Sequence, residues 1–213
     1  MPKQLWVVRA GRDAVYCEDF LRLKVVAIGW WEAGDLTRLT SREQIAKAIA
    51  KSYPDASKGT LSSYAGQVQR FRFDLKKDES VVTYDAAKRL YHIGTVVGDY
   101  EYHPECELEL RNSRAVTWLG TVPRDKLSAA TKNSLGSIST IFRASETASE
   151  EILSILKAPA PVAEDSTAST TTADLIPDDE VQVRENIEQS AMDFLQDRII
   201  KLTWSQMQEL VAG

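Results

Sequence analysis

Apolar and polar positions change period several times along this chain, and each change marks a predicted element. LWVVRAG (residues 5–11) reads as a strand closed by Gly11, and LKVVAIGW (23–30) as a second strand. YCEDFLR (16–22) between them reads as a turn or short helix, and residues 36–39 as a connector. Thr40 or Ser41 can cap a helix that runs through about Ser52, with Glu43 three residues after Thr40 as in a capping box. Ile45, Ala48 and Ile49 keep helical spacing, and Tyr53-Pro54-Asp55 ends the segment. Lys58-Gly59-Thr60 opens the next one. Thr60 or Ser62 can cap a helix over 63–75, on which Tyr64, Val68, Phe71 and Leu75 form one apolar stripe. Strands follow at 80–85, 90–102 and 109–120, the first two joined by a hairpin loop at 85–88. Gly94 and Gly98 inside the long strand predict a bulge or a strong bend. A short helix near 124–130 and a last extended segment at 137–142 complete this part.

The pattern then changes. Residues 144–157 contain a helical apolar set, Ile152, Leu153 and Leu156. Residues 158–180 are rich in Ala, Pro, Ser, Thr and acids and hold no aromatic residue, the composition of a flexible linker. Helical spacing returns over 181–198 through Ile187, Ala191, Phe194 and Leu195, and Thr203 can cap a final helix. That helix stops at Gly213 with its stripe (Trp204, Met207, Leu210, Val211) about two turns long, which leads us to expect a chain cut from something longer. The expected class is α+β.

Charge divides the chain at the same place. Residues 1–143 carry 22 Lys and Arg against 17 Asp and Glu, whereas residues 144–213 carry 4 against 14. A mildly basic body with an acidic tail raises the expectation of a nucleic-acid partner, although +5 is too small for affinity to rest on charge alone. No apolar run nears the roughly 20 residues that cross a bilayer, and the N-terminus does not read as a secretory signal. No membrane association is expected. Two cysteines, Cys17 and Cys106, and two histidines, His92 and His103, lack zinc-site spacing, and a reducing cytoplasm is the simplest setting. No P-loop, GxSxG or acidic metal motif of nuclease type is present, so no catalytic residue is expected within this chain.

The feature with most chemistry is VVAIGWWEAGDL, residues 25–36. A strand exits through Gly29 into Trp30 and Trp31. If the extended conformation persists through the pair, one ring faces the core and the other faces outward. A flat ring at a strand exit suits stacking on a nucleobase; the alternative is that both rings cap the core. Trp6 and Trp118 lie in apolar strands and read as core, His92 as structural, and Trp204 as packing on a domain beyond the chain.

In that order, LWVVRAGRD, VVAIGWWEAGDL, GTLSSYAGQVQRFRFDLKKDESVVTYD, YHIGTVVGDYEYHP and WLGTVPRDKL resemble a PUA-like module of the EVE and YTH kind over residues 1–143. IIKLTWSQMQELVAG (199–213) resembles the opening of an Mrr-type restriction endonuclease domain, which would begin within 181–213. Together these resemble a type IV, modification-dependent restriction protein of a defence system. The resemblance implies a PUA-like mixed β-barrel with flanking helices, followed by a linker and C-terminal helices. It implies a reader of double-stranded DNA whose modified base is flipped into an aromatic pocket. It further implies no cofactor in this chain, a divalent metal such as magnesium in the missing nuclease domain, and leaves open a homodimer through that domain. Trp30 takes the platform role first, with Trp31 as its neighbour. Tyr64, Tyr100 and Tyr102 are further ring candidates, Asp35, Ser63 and Gln67 could bond a base edge, and Arg9, Arg12, Lys88 and Arg89 would hold phosphates. Two other readings stay open: an RNA-binding PUA-like module, and a protein-interaction module with buried tryptophans.

Overall fold

Alternation along the strands builds a sheet covered on both faces. The computed structural model describes residues 4–106, 109–137, 139–158, 191–192, 194–199 and 202. The chain divides into two units, Met1–Ile176 and Pro177–Gly213. In the second, residues 191–192 and 194–199 are helical, and the Arg198 guanidinium lies 5.5 Å from the Phe194 ring. The expected linker over 158–180, apart from Ala158, and the final helix after Thr203, with Trp204, lie outside the described residues.

The first unit contains strands β1 (Leu5–Val8), β2 (Val25–Ile28), β3 (Ser80–Asp85), β4 (Leu90–Tyr102), β5 (Asn112–Pro123) and β6 (Ile141–Arg143). Its helices are α1 (Cys17–Leu23), α2 (Arg42–Ser52), α3 (Lys58–Gln69), α4 (Ala129–Leu135) and α5 (Glu146–Lys157). The protein is α+β. The strands form one open mixed sheet in the order β2-β5-β4-β3-β1-β6, with β1 and β3 parallel and the other pairs antiparallel.

Trp6, Val8 and Val81 join the core that contains Phe20 of α1, Ile45 and Ile49 of α2, and Val68 of α3. Leu5, Val7 and Val82 point the other way, to Leu135 of α4 and Ile152 of α5. The helix at 146–157 therefore packs on the same sheet as the strands before it. Glu151 of α5 ties α4 down: its carboxylate accepts from the Ser128 backbone NH (2.6 Å), the Ser128 hydroxyl (2.8 Å) and the Thr131 hydroxyl. Glu151→Ala leaves the first turn of α4 without that anion and is expected to cost about 1–2 kcal/mol, measurable as a lower urea midpoint.

Several boundaries differ from expectation, each for a local reason. The α2 cap is Ser41, paired reciprocally with Gln44: Gln44 NH donates to Ser41 Oγ (3.2 Å) and Ser41 NH to Gln44 Oε1 (3.1 Å). Thr40 and Glu43 do not form the box. Helix α3 begins earlier than expected, because Ser57, extended at φ −62 and ψ 158, caps it through Thr60 NH (3.1 Å). A π-helical turn over Arg70–Asp74 then carries the apolar stripe through Phe71. Strand β5 starts at Asn112, three residues late, and runs on to Pro123.

The glycine expectation holds. The β4–β5 ladder breaks register between Ile93 and Gly94 and again between Val96 and Tyr100. A Cβ on Gly94 would meet Val116 Cγ1 at 2.5 Å, and one on Gly98 would meet Ala115 Cβ at 2.9 Å, so neither position admits a side chain without local movement. At the second break the buried Arg114 donates to the carbonyls of Phe71 (3.0 Å), Arg72 (3.1 Å) and Gly98 (3.3 Å). One guanidinium thus joins the π-helical turn to the bent strand. Trp6 is buried as expected, and Trp118 is half-buried, its Nε1 donating to the Phe20 carbonyl at 3.1 Å.

Candidate functional site

The end of β2 sets the site. The strand stops at Ile28, and Trp30 takes a left-handed backbone, φ 58 and ψ 29. Strand alternation therefore does not extend through the tryptophan pair, and the expected division into one inward and one outward ring does not apply. Both indoles are half-buried. Left-handed geometry costs a bulky residue roughly 1–3 kcal/mol and survives only where the surroundings over-determine it. They do so here. The Trp30 carbonyl accepts from Ala33 NH (3.1 Å) and the Trp31 carbonyl from Gly34 NH (2.9 Å), closing a 3₁₀ turn over Trp31–Ala33. On the other side Asn112 Nδ2 donates to the Gly29 carbonyl at 2.8 Å, and Tyr100 Oη donates to Asn112 Oδ1 at 2.7 Å.

Trp30 heads a cluster of three rings. Its indole lies 5.4 Å from the Tyr64 ring at 54°, and Tyr64 lies 5.5 Å from Tyr53 at 73°, edge to face. Tyr64 is the exposed end of the α3 stripe: Val68 and Phe71 below it are fully buried, while Tyr64 keeps part of its surface. Tyr53, which sequence reasoning treated as a helix terminator, completes the cluster from the end of α2 and donates to the Glu32 carboxylate. Burial first, then the Glu32 hydrogen bond and the charges of Glu32 and Glu109, raise the Tyr53 phenol far above its usual range. Burial followed by the charge and hydrogen bond of Glu109 also raises Tyr16. Trp31 turns to a different partner: the Arg111 guanidinium stands 4.6 Å over its ring. Tyr102 is half-buried against the same core.

The other expected site residues separate from this cluster. Tyr100 is buried and occupied with Asn112, and its ring lies edge-on to Phe71 at 6.4 Å. Gln67 is buried, its Oε1 accepting from Thr140 NH at 2.6 Å and its Nε2 donating to Ser63 at 3.3 Å, so this pair ties α3 to the approach of β6. Asp35 accepts from Thr37 NH at 2.8 Å and from the Thr37 hydroxyl, and these bonds hold its carboxyl below the usual range. That is the turn role open to an Asp at this position. Among the expected phosphate contacts, Arg9 donates to the Ser137 carbonyl (2.5 Å), and Arg12 stands 3.6 Å from Asp13. Lys88 pairs with Asp85 (3.2 Å) and Glu18 (3.3 Å), and Arg89 with Asp125 (2.5 Å). The Lys88–Arg89 hairpin adjoins the Leu90–Pro123 end of the β4–β5 ladder, whereas the Trp30 exit adjoins the Tyr102–Asn112 end. Sequence reasoning missed Tyr53, Asn112 and Arg111, each brought to the exit by tertiary contacts alone, and Glu32, which lies in the exit turn itself.

Residues 6–145, from β1 to the cap of α5, match the family described as Domain of unknown function (DUF8426). The chain belongs to that family. No curated protein and no solved structure matches it. The aromatic cluster lies wholly within the DUF8426 domain, and so do the three buried groups Cys17, Asp85 and His92. Among the described residues no helix is long and apolar enough to cross a membrane.

Proposed function

We propose that the first unit is a nucleic-acid reader that takes a modified base of duplex DNA onto the Trp30 ring. The observation that carries this reading is the left-handed Trp30, held from both sides in a costly conformation that presents a half-exposed indole beside Tyr64 and Tyr53. Extruding a base costs a few kcal/mol, and a base–aromatic stack returns about 1–3 kcal/mol. The cost is lowest where a base is already poorly paired, and discrimination then falls to polar groups beside the rings, such as Glu32 and Glu109, whose charges act on the Tyr53 phenol. Both indoles keep part of their surface, which weighs against a module with fully buried tryptophans. The register breaks at Gly94 and Gly98 bend the central ribbon, which supports a PUA-like reading of the sheet. On this proposal the chain is the targeting part of a restriction protein that pairs it with a magnesium-dependent Mrr-type nuclease.

The test is a gel-shift panel of duplexes bearing different modified cytosines and adenines, with structured RNA as a further arm. We expect one modified duplex to bind more tightly than its unmodified counterpart. Equal binding of every duplex rejects the base-reading proposal, and preference for the RNA transfers the same site to an RNA ligand. Glu32 and Glu109 favour a second reading. Carboxylates beside aromatic rings suit a cation such as a methylated ammonium. Quenching of tryptophan emission by tetramethylammonium, lost in Glu32→Gln, distinguishes it.

A further inference from the structure

A second constellation lies where α1 meets the β3–β4 hairpin. Thr83 and His92 are cross-strand partners, and Asp85 lies two residues on from Thr83, so all three side chains leave the same face of the ladder. Cys17, the first residue of α1, comes down on that face. One donor atom from each of Cys17, Asp85 and His92 lies within 4.8 Å of the other two, and all three residues are buried. The ring nitrogen His92 Nε2 has no hydrogen-bond partner. It stands 3.8 Å from Asp85 Oδ2, too far for a bond, in a residue only 9% exposed. Thr83 Oγ1 beside it is fully buried and equally unpartnered. Buried polar atoms are almost always bonded, so two orphans at one place call for an explanation.

We propose that Cys17 Sγ, His92 and Asp85 Oδ2 form a binding site for a divalent transition ion of the zinc type. Mixed sulfur, imidazole and carboxylate donors suit zinc or cobalt and not magnesium or calcium. Tetrahedral zinc, with bonds of about 2.0–2.3 Å, needs donors roughly 3.3–3.8 Å apart, a closure of at most about 1–1.5 Å from the present spacing. A water completes the fourth position. Asp85 Oδ1 is already occupied by Lys88 NH (2.9 Å), which orients Oδ2 toward the site. The Lys88 ammonium, 3.2 Å from Oδ2 and half-exposed, now supplies the positive charge there, and its flexible stem lets it withdraw. Burial pushes the Cys17 thiol up to about 11 and holds the His92 ring below its usual range. The imidazole is therefore already in its ligating form, and the thiol releases its proton to solvent as the metal–sulfur bond forms. The ion would staple α1 to the hairpin, a role independent of the base-reading proposal.

Cobalt(II) titration of the full chain under reducing conditions tests this. We expect a thiolate-to-cobalt charge-transfer band, displaced by zinc, absent in Cys17→Ala and weakened in Asp85→Asn, which keeps the hairpin acceptor. Lys88→Met removes the competing ammonium and should reach half-saturation at about tenfold less cobalt. Circular dichroism of each variant confirms the fold. The proposal is overturned by no band in the wild type, or by a band that persists in Cys17→Ala and disappears in Cys106→Ala, which would place the ion on the exposed His103–Cys106 loop.

Discussion

Trp30→Ala is expected to weaken binding of the preferred modified duplex by about 5- to 150-fold, the equivalent of one base–aromatic stack. Binding of the unmodified duplex should change little, because that affinity rests on phosphate contacts and salt. Trp30→Gly should lose binding to the same extent. Glycine takes φ 58 without steric cost, so its 3₁₀ turn should stay intact and the loss can be assigned to the ring. Trp31→Ala, which removes only the platform under Arg111, should have the smaller effect. Fluorescence anisotropy with labelled duplexes measures all three, with thermal midpoints alongside. A Trp30→Ala variant that unfolds early and binds every duplex proportionately less would make the ring structural. Unchanged binding in all three variants would remove Trp30 from the site.

The second large effect concerns stability. Arg114 is 3% exposed, yet its guanidinium donates to three carbonyls from two elements. Burial lowers its affinity for a proton, with the Asp99 charge opposing, and the carbonyls compensate by accepting its bonds. Arg114→Met keeps most of the volume but leaves those carbonyls short of donors. Orphaned buried acceptors cost about 1–3 kcal/mol apiece before relaxation, so a net loss of about 3 kcal/mol or more is expected. In a unit of this size that lowers the thermal midpoint by about 6–12 °C. Calorimetry of the full chain measures it. A midpoint within 2 °C of wild type would mean that water replaces the guanidinium and that the bend in β4 does not depend on it. Arg114→Lys should recover little, since the single nitrogen of an ammonium cannot span three carbonyls now served by three separate guanidinium nitrogens.

Most elements were legible in the sequence because their causes are local. The apolar stripe of Tyr64, Val68, Phe71 and Leu75, the hairpin at 85–90 and the bend at Gly94 and Gly98 follow from spacing and from the residues that a turn or bulge tolerates. Boundaries slipped where two side chains could serve one role. Ser41 and Thr40 are chemically alike as caps, and Gln44 Oε1 accepts from the NH of both; what decides between them is that the Ser41 hydroxyl is the one that accepts the Gln44 NH. The site was half legible. Trp30 was visible because a tryptophan pair after a glycine is unusual in any strand. Tyr64 was visible as a ring candidate and does meet Trp30, but Tyr53 and Asn112 were not, because one arrives from the end of another helix and the other on a distant strand.

The polar candidates show the same limit from the other side. Asp35, Gln67, Tyr100 and Lys88 are residue types that suit a base or a phosphate, and each is occupied by a neighbour that composition cannot reveal. By itself the sequence determined the α+β class, the order of the elements and the glycine bends in the ribbon, since these depend on hydrophobic period and backbone freedom within a few residues. Tertiary structure alone decided the backbone sign of Trp30, the burial of Arg114 and the meeting of Cys17 with Asp85 and His92. Those depend on which surfaces pack together, and hydrogen bonds and charges between residues tens of positions apart leave no periodic trace in the chain.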